Sequence, residues 1–294
     1  MCLLAIAIGA SARWPLVIAS NRDEYRDRPT LPLAAWRTAG DVTVVSGRDL
    51  RAGGTWMGST TGGRIALLTN VREPDAPAAA LSRGDLPLRW LEGQMSAAQF
   101  LADTDALSYG ACNLVVGDFL RGEWTWASNR PNLGAVPLNS LRTAAGWQTK
   151  QLPPGIYGLS NALLDTPWPK TLALKAAMTT ALANANANVD GDESALAGIL
   201  WAALANPDRA ALDDLPNTGV ATAFEHALSS ALIDVPERGE HGYGTRCSTL
   251  MWMAAKPDSN GFSATVCEKT MTAESSKPDC EDQQMVRLTW SLPV

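Results

Sequence analysis

The sequence predicts an α+β fold of two packed, mainly antiparallel sheets with helical outer layers, in one domain over residues 1–294. Three observations predict it. Apolar runs recur in pairs around glycine-containing turns, as hairpins do. Separated segments rich in alanine and leucine read as helices. No Pro/Ser-rich linker divides the chain, and its 46% apolar residues supply one sizeable core.

The strands follow in order. Residues 3–8 are continuously apolar, as in a strand buried on both faces. A turn around Gly9 to Pro15 leads to a second strand at 16–20, which runs into Asn21-Arg22-Asp23-Glu24. With the turn centred near Ala12, antiparallel pairing sets Cys2 opposite about residue 22. Residues 41–46 alternate. Runs 55–59 and 64–69 flank Thr61-Gly62-Gly63, and runs 113–118 and 123–127 flank Arg121-Gly122. A short strand is expected at 156–159, and runs 249–254, 262–268 and 285–290 complete the β-rich C-terminal part. Helices are expected at 85–93, 96–102, 169–187, 194–205 and 221–232, the third with proline in its first turn.

Composition excludes several classes. A formal net charge of −6 argues against sequence-independent nucleic-acid binding, which rests on clustered Lys and Arg, and against anionic membrane surfaces. Residues 2–10 are apolar but lack the basic start of a signal peptide and are too short to span a bilayer, so they read as a strand. The five cysteines are odd in number and form no CxxC, which makes a reducing, cytoplasmic setting the default. A bridge between Cys267 and Cys280 is the minor alternative. Nothing in the sequence specifies an oligomer.

Motifs for metals, phosphates and dinucleotides are missing, and no cofactor is expected. Gly158-Leu159-Ser160-Asn161-Ala162 ends in Ala where a nucleophile elbow has a second Gly. The two histidines, His226 in a helical pattern and His241 in a Gly-rich loop, leave little for a His-dependent triad. Cys2 is the informative position. Removal of Met1 leaves a thiol and an α-amine on one residue, and the amine, with an ordinary pKa of about 7.7–8.0, is suited to act as base for its own nucleophile. Arg22 favours a thiolate and Asp23 accepts from an ammonium group. The bland alternatives are a packed strand cysteine and a solvated strand end.

Cys2, the tetrad at 21–24, Arg28-Pro29-Thr30 and Trp36 resemble the start of the NRDE family, also called the transport and Golgi organisation 2 family. The resemblance continues through Gly47-Arg48-Asp49, Gly54-Thr55-Trp56-Met57-Gly58, Leu68-Thr69-Asn70-Val71-Arg72 and Ser82-Arg83-Gly84. Tyr109 with Asn113-Leu114, Gly158 to Asn161, Asp165 to Lys170 and Tyr243-Gly244-Thr245-Arg246 extend it along nearly the whole chain. The same landmarks are similar, more distantly, to cysteine-type N-terminal-nucleophile (Ntn) hydrolases. That likeness implies a four-layer αββα sandwich with Cys2 as nucleophile. It also implies Arg22, Asp23, Asn70, Asn161 and Arg246 as partners in catalysis, although the family spaces its Arg and Asp more widely. Amide donors at Asn70 and Asn161 would stabilise a tetrahedral oxyanion; their plainer role is turn stabilisation.

Two functional classes follow from the resemblance. One is an amidohydrolase or acyltransferase acting through Cys2 on a linear C–N bond other than a peptide bond. The other is a non-catalytic haem- or lipid-handling protein tied to Golgi organisation and secretion. Either takes a small molecule, an acyl amide, lipid or haem. Trp56, Arg72 and Trp168 are candidate substrate contacts, although core packing explains most of the 11 tryptophans equally well.

Overall fold

The computed structural model describes residues 2–74, 78–130, 141–142, 144–187, 193–236, 238, 241–256, 261–271 and 284–292. Cys280 lies outside them. The strands in chain order are β1 (Cys2–Ile8), β2 (Leu16–Tyr25), β3 (Thr30–Arg37), β4 (Thr43–Asp49), β5 (Met57–Thr60), β6 (Arg64–Asn70), β7 (Cys112–Asp118) and β8 (Glu123–Ser128). They continue as β9 (Leu141–Arg142), β10 (Gln148–Gln151), β11 (Gly155–Leu159), β12 (Asp234–Val235), β13 (Tyr243–Ala255), β14 (Phe262–Thr270) and β15 (Gln284–Leu292). The helices are α1 (Asp85–Glu92), α2 (Ala97–Ala102), α3 (Pro169–Ala187), α4 (Glu193–Leu204) and α5 (Thr222–Ala227). The class is α+β with two mainly antiparallel sheets, as the sequence predicts.

The chain forms two compact units, each discontinuous in sequence. The first comprises Met1–Asp27, Pro154–Leu159 and Asp165–Ser291. Its sheet runs β11-β1-β2-β13-β14-β15, with β12 on β13. Helices α3 and α4 cover one face, where Leu3, Ala5 and Ala7 of β1 and Val17 and Ala19 of β2 meet Leu174, Met178 and Leu182 of α3. Leu196, Leu200 and Leu204 present one stripe of α4 to the same core, four residues apart, as a 3.6-residue period requires. All three are fully buried, each contributing about 1.5–3 kcal/mol against exposure.

The second unit comprises Arg28–Pro153, Ser160–Leu164 and Leu292–Val294. Its sheet runs β3-β4-β5-β6-β7-β8-β10-β9. Helices α1 and α2 cover one face through Leu86, Trp90, Leu91, Phe100 and Leu101, against Ala66, Leu114 and Val116. Ser96 caps α2 in a reciprocal box with Gln99, which satisfies two of the orphan donors at the helix start.

Several elements depart from the sequence reading, the two-residue strands β9 and β12 among them. Strand β3 is unexpected from a run containing Pro32; it is the sheet's edge strand, where a missing N–H is tolerated, and its pairing slips between Leu31 and Ala34. Strand β10 is also new. The helix expected at 221–232 ends at Ala227. Beyond it, the Ser229 hydroxyl donates to His226 O (2.8 Å) and accepts from Ala210 N (2.9 Å), while Ser230 donates to Leu232 O (2.6 Å). These local bonds compete with helix continuation.

Candidate active site

The β1–β2 hairpin fixes the site's register. Cys2 pairs with Arg22, as the spacing predicts, and Leu3 pairs with Asn21. The tetrad, however, lies within β2 rather than at its exposed end, and Asn21, Arg22 and Asp23 are buried. Alternation then divides the roles. Asn21 turns toward the helices, its amide donating to Leu204 O and Ala231 O (both 2.9 Å) and its oxygen accepting from Ser248 Oγ (2.6 Å). It is a structural clamp.

Arg22 lies between two cysteines, since β2 pairs with β13 so that Arg22 is opposite Cys247. The next register pair is Asp23 with Thr245, and Arg246 is the extra residue of a bulge between Thr245 and Cys247. A bulge re-aims the side chain it inserts. Arg246 donates through Nη1 to Tyr25 O (2.8 Å) and Arg26 O (2.9 Å), which ties it to the end of β2. Burial and the like charge of Arg22 both lower its pKa. One sheet end in the first unit therefore gathers Cys2, Arg22, Asp23 and Arg246.

Asp23 is held on two sides. Its Oδ1 accepts from Thr245 Oγ1 (2.8 Å), and its carbonyl accepts from the Tyr243 hydroxyl (3.0 Å). Burial pushes its carboxyl above the usual range, while Lys170, the Thr245 hydrogen bond and Arg22 work against that rise. Burial likewise pushes the Cys2 thiol up, and Asp23 adds to it; Arg22 and a hydrogen bond from the Asp23 backbone amide pull it down. Cys247 is raised further by burial and by its hydrogen bond to the buried Glu268. Neither Cys247 nor Glu268 was singled out by sequence reasoning. Their alternation with Ser248 and Cys267 along β13 and β14 gives the only hint, and it requires the pairing with β2 to be known.

The second unit carries Asn70 and Asn161. They touch directly, the Asn161 amide donating to Asn70 O (3.0 Å) and Asn70 Oδ1 (3.1 Å). Arg72 joins them through its backbone, its N–H donating to Asn161 O (2.8 Å). Trp56 is buried against β4, so close that a Cβ at Gly47 would lie 2.4 Å from the ring. Trp168 belongs to the first unit and is buried there; its carbonyl accepts from Thr171 and Leu172 at the start of α3. For both tryptophans the contacts described are those of packing and capping. His241 is exposed. Among the described residues, no group of three or more His, Cys, Asp and Glu side chains converges as metal ligands do.

Similarity to known proteins agrees with the motifs. A family model described as Transport and Golgi organisation 2 matches residues 1–273. The chain is 31% identical over 245 residues to the Transport and Golgi organization protein 2 homolog of Bos taurus, covering 82% of each chain. It is 29% identical over 251 residues to the Homo sapiens homolog, again with 82% of each covered. Among solved structures it is similar to a Caenorhabditis elegans ortholog of N-acylethanolamine-hydrolyzing acid amidase, at 12% identity and a TM-score of 0.46, with 99% of this chain and 100% of that one covered. A mutant conjugated bile acid hydrolase of Clostridium perfringens aligns at 10% identity and a TM-score of 0.41, covering 97% of this chain and 96% of that one. With a family model matched over nearly its whole length, the chain belongs to the Transport and Golgi organisation 2 family.

Proposed function

We propose that the protein transfers or hydrolyses an acyl group of a small linear amide through Cys2. The observation that carries this reading is the pairing of Cys2 with Arg22 beside a carboxyl held by Thr245. With Met1 removed, the α-amine of Cys2 serves as base for its own thiol, and the Asp23 carboxyl accepts from the ammonium that results. Arg22 favours the thiolate against the burial that opposes it. Asn70, supported by Asn161, supplies the amide donor for the oxyanion, and Arg246 completes the cationic end of the site. Trp56, Arg72 and Trp168 are carried as contacts to the acyl substrate. The cytoplasm is the proposed compartment, because no disulfide joins Cys2, Cys112, Cys247 or Cys267 among the described residues. The interleaving of the two units leads us to propose that they fold as one domain, which a single unfolding transition by two probes would support.

The test is turnover of a panel of fatty-acyl and bile-acid-like amides by protein beginning at Cys2. Cys2→Ser should be severely impaired, because a hydroxyl is a poor nucleophile near neutrality, and Cys2→Ala should be inactive. Activity that survives Cys2→Ala places the nucleophile elsewhere.

A second reading has its own observation. Burial raises the Cys2 thiol, as in a packed strand cysteine, and the relatives are described as transport and Golgi organisation proteins. On that reading the fold carries a haem or lipid without turnover. Titration with haem, followed by absorption, and with a fluorescent fatty acid separates the two: saturable binding without turnover favours carriage.

A further inference from the structure

We infer that Asn113 is the positioning residue of the Asn70–Asn161 pair, and that within the pair Asn70 presents the donor while Asn161 holds it. The inference deepens the acyl-transfer reading and rests on it for its kinetic arm.

Asn113 lies in the middle of the second unit's sheet, fully buried, where an unsatisfied carboxamide would be costly. Its bonds are all made. Nδ2 donates to Thr69 Oγ1 (3.1 Å) and to Ala162 O (2.7 Å), and Oδ1 accepts from Trp126 Nε1 (3.3 Å). Three segments meet on this one side chain: β6, the loop 160–164 and β8. Thr69 is the residue before Asn70, and Ala162 is the residue after Asn161. Asn113 therefore fixes the immediate neighbour of each member of the pair without touching either one's carboxamide.

The pair itself is asymmetric. The Asn161 amide nitrogen makes two bonds, both to Asn70, and its Oδ1 accepts from Ser160 Oγ (3.2 Å). Asn161 is 1% exposed, and its carbonyl is held by Arg72 N. Asn70 is only half-buried. Because its Oδ1 accepts from Asn161, its Nδ2 is turned the other way, and no bond from that nitrogen to a described residue is present. A carboxamide held through its oxygen, with its N–H left to donate, is suited to an oxygen on which negative charge develops.

In acylation by p-nitrophenyl butyrate, the Cys2 sulfur bonds to the carbonyl carbon and the π pair moves onto oxygen. Collapse expels p-nitrophenolate and leaves a thioester. Alkylation of the same thiol by iodoacetamide expels iodide from a saturated carbon and forms no oxyanion. The ratio of the two rates thus reads the amide donors separately from the thiol.

The experiment measures both rates on full-length protein beginning at Cys2, for the wild type, Asn70→Ala, Asn113→Ala and the milder Thr69→Val, which removes one Asn113 partner. Loss of an oxyanion donor costs roughly 100- to 1000-fold, so Asn70→Ala should lower the acylation-to-alkylation ratio by about that factor. Asn113→Ala should lower it by roughly 10- to 100-fold, and Thr69→Val by less, with alkylation unchanged in all three. A second arm follows side-chain amide hydrogens by NMR: that of Asn161 should exchange slowly in the wild type and faster in Asn113→Ala and Thr69→Val. An unchanged ratio, or parallel loss of both rates, overturns the inference. If wild-type Cys2 alkylates but accepts no acyl group, the acyl-transfer reading fails, and the NMR arm alone then decides whether Asn113 positions the pair.

Discussion

Replacing Asn21 with Ala tests the claim that the first residue of the tetrad is structural. Leu204 is the last residue of α4, where backbone carbonyls lack intrahelical partners. Asn21 supplies a donor to that carbonyl and a second to Ala231 O, and it accepts from Ser248, all in the buried interior. Three neutral hydrogen bonds contribute about 1 kcal/mol each, and the stranded carbonyls add a desolvation penalty of about 1–3 kcal/mol apiece where no water reaches them. The expected loss is therefore about 3 kcal/mol where water satisfies the carbonyls and about 5–9 kcal/mol where none does, a large fraction of a domain's usual stability of about 5–15 kcal/mol. Urea denaturation followed by tryptophan fluorescence and circular dichroism measures it. A loss under about 1 kcal/mol would refute the clamp. Asn21→Asp adds a pH test. A carboxylate cannot donate to two carbonyls, and burial beside them raises its pKa in the folded state. A raised folded pKa gives stability that is present below the unfolded value of about 3.9 and lost as pH rises through the folded value. Relative to wild type, the variant should therefore be weaker at pH 8 than at pH 5.

Gly47→Ala should destabilise severely, because the added Cβ would lie 2.4 Å from the Trp56 ring; a thermal midpoint within a degree or two of wild type would show that the ring can yield. The Cys112 thiol, pushed up to about 12 by burial, should hold about a thousandth of the thiolate of an unperturbed cysteine at pH 8, so its alkylation should trail that of a denatured control by a like factor. Asp23, raised mainly by burial, contributes stability at low pH that is lost as pH rises through its folded value; Asp23→Asn should flatten that part of the stability profile, and an unchanged profile would show that the carboxyl is not the group responsible.

The architecture was legible where periodicity and turns coincide. The β1–β2 register follows from the spacing of Cys2 and Arg22 about one turn near Ala12, and α3 begins and ends where its proline and alanine-rich run do. Strand β3 was hidden by Pro32, because only the sheet's order shows that this proline sits on an edge. The end of α5 was hidden because Ser229 and Ser230 look helical by period, while their hydroxyls bond to Ala210 and to Leu232 outside the helix. At the candidate site, the residues that neighbour Cys2 in the sheet were easier to read than the face each one takes. A shift of one position moves a strand residue to the other face, so Asn21 as clamp and Arg22 as neighbour of Cys2 separate only once both strand partners are fixed. The same holds for Asn113, whose importance lies in three contacts from separate segments.

Formation of an acyl-enzyme at Cys2 is open to a direct test by intact-mass spectrometry with peptide mapping. Protein beginning at Cys2 is mixed with p-nitrophenyl butyrate, quenched in acid and digested with pepsin in acid, where the protonated α-amine of Cys2 cannot take the acyl group from sulfur. One butyryl increment is expected, labile to hydroxylamine as a thioester is, mapped to the N-terminal peptide and lost in Cys2→Ala. Equal modification of Cys2→Ala, or no increment on a demonstrably free N-terminal Cys2, would contradict it.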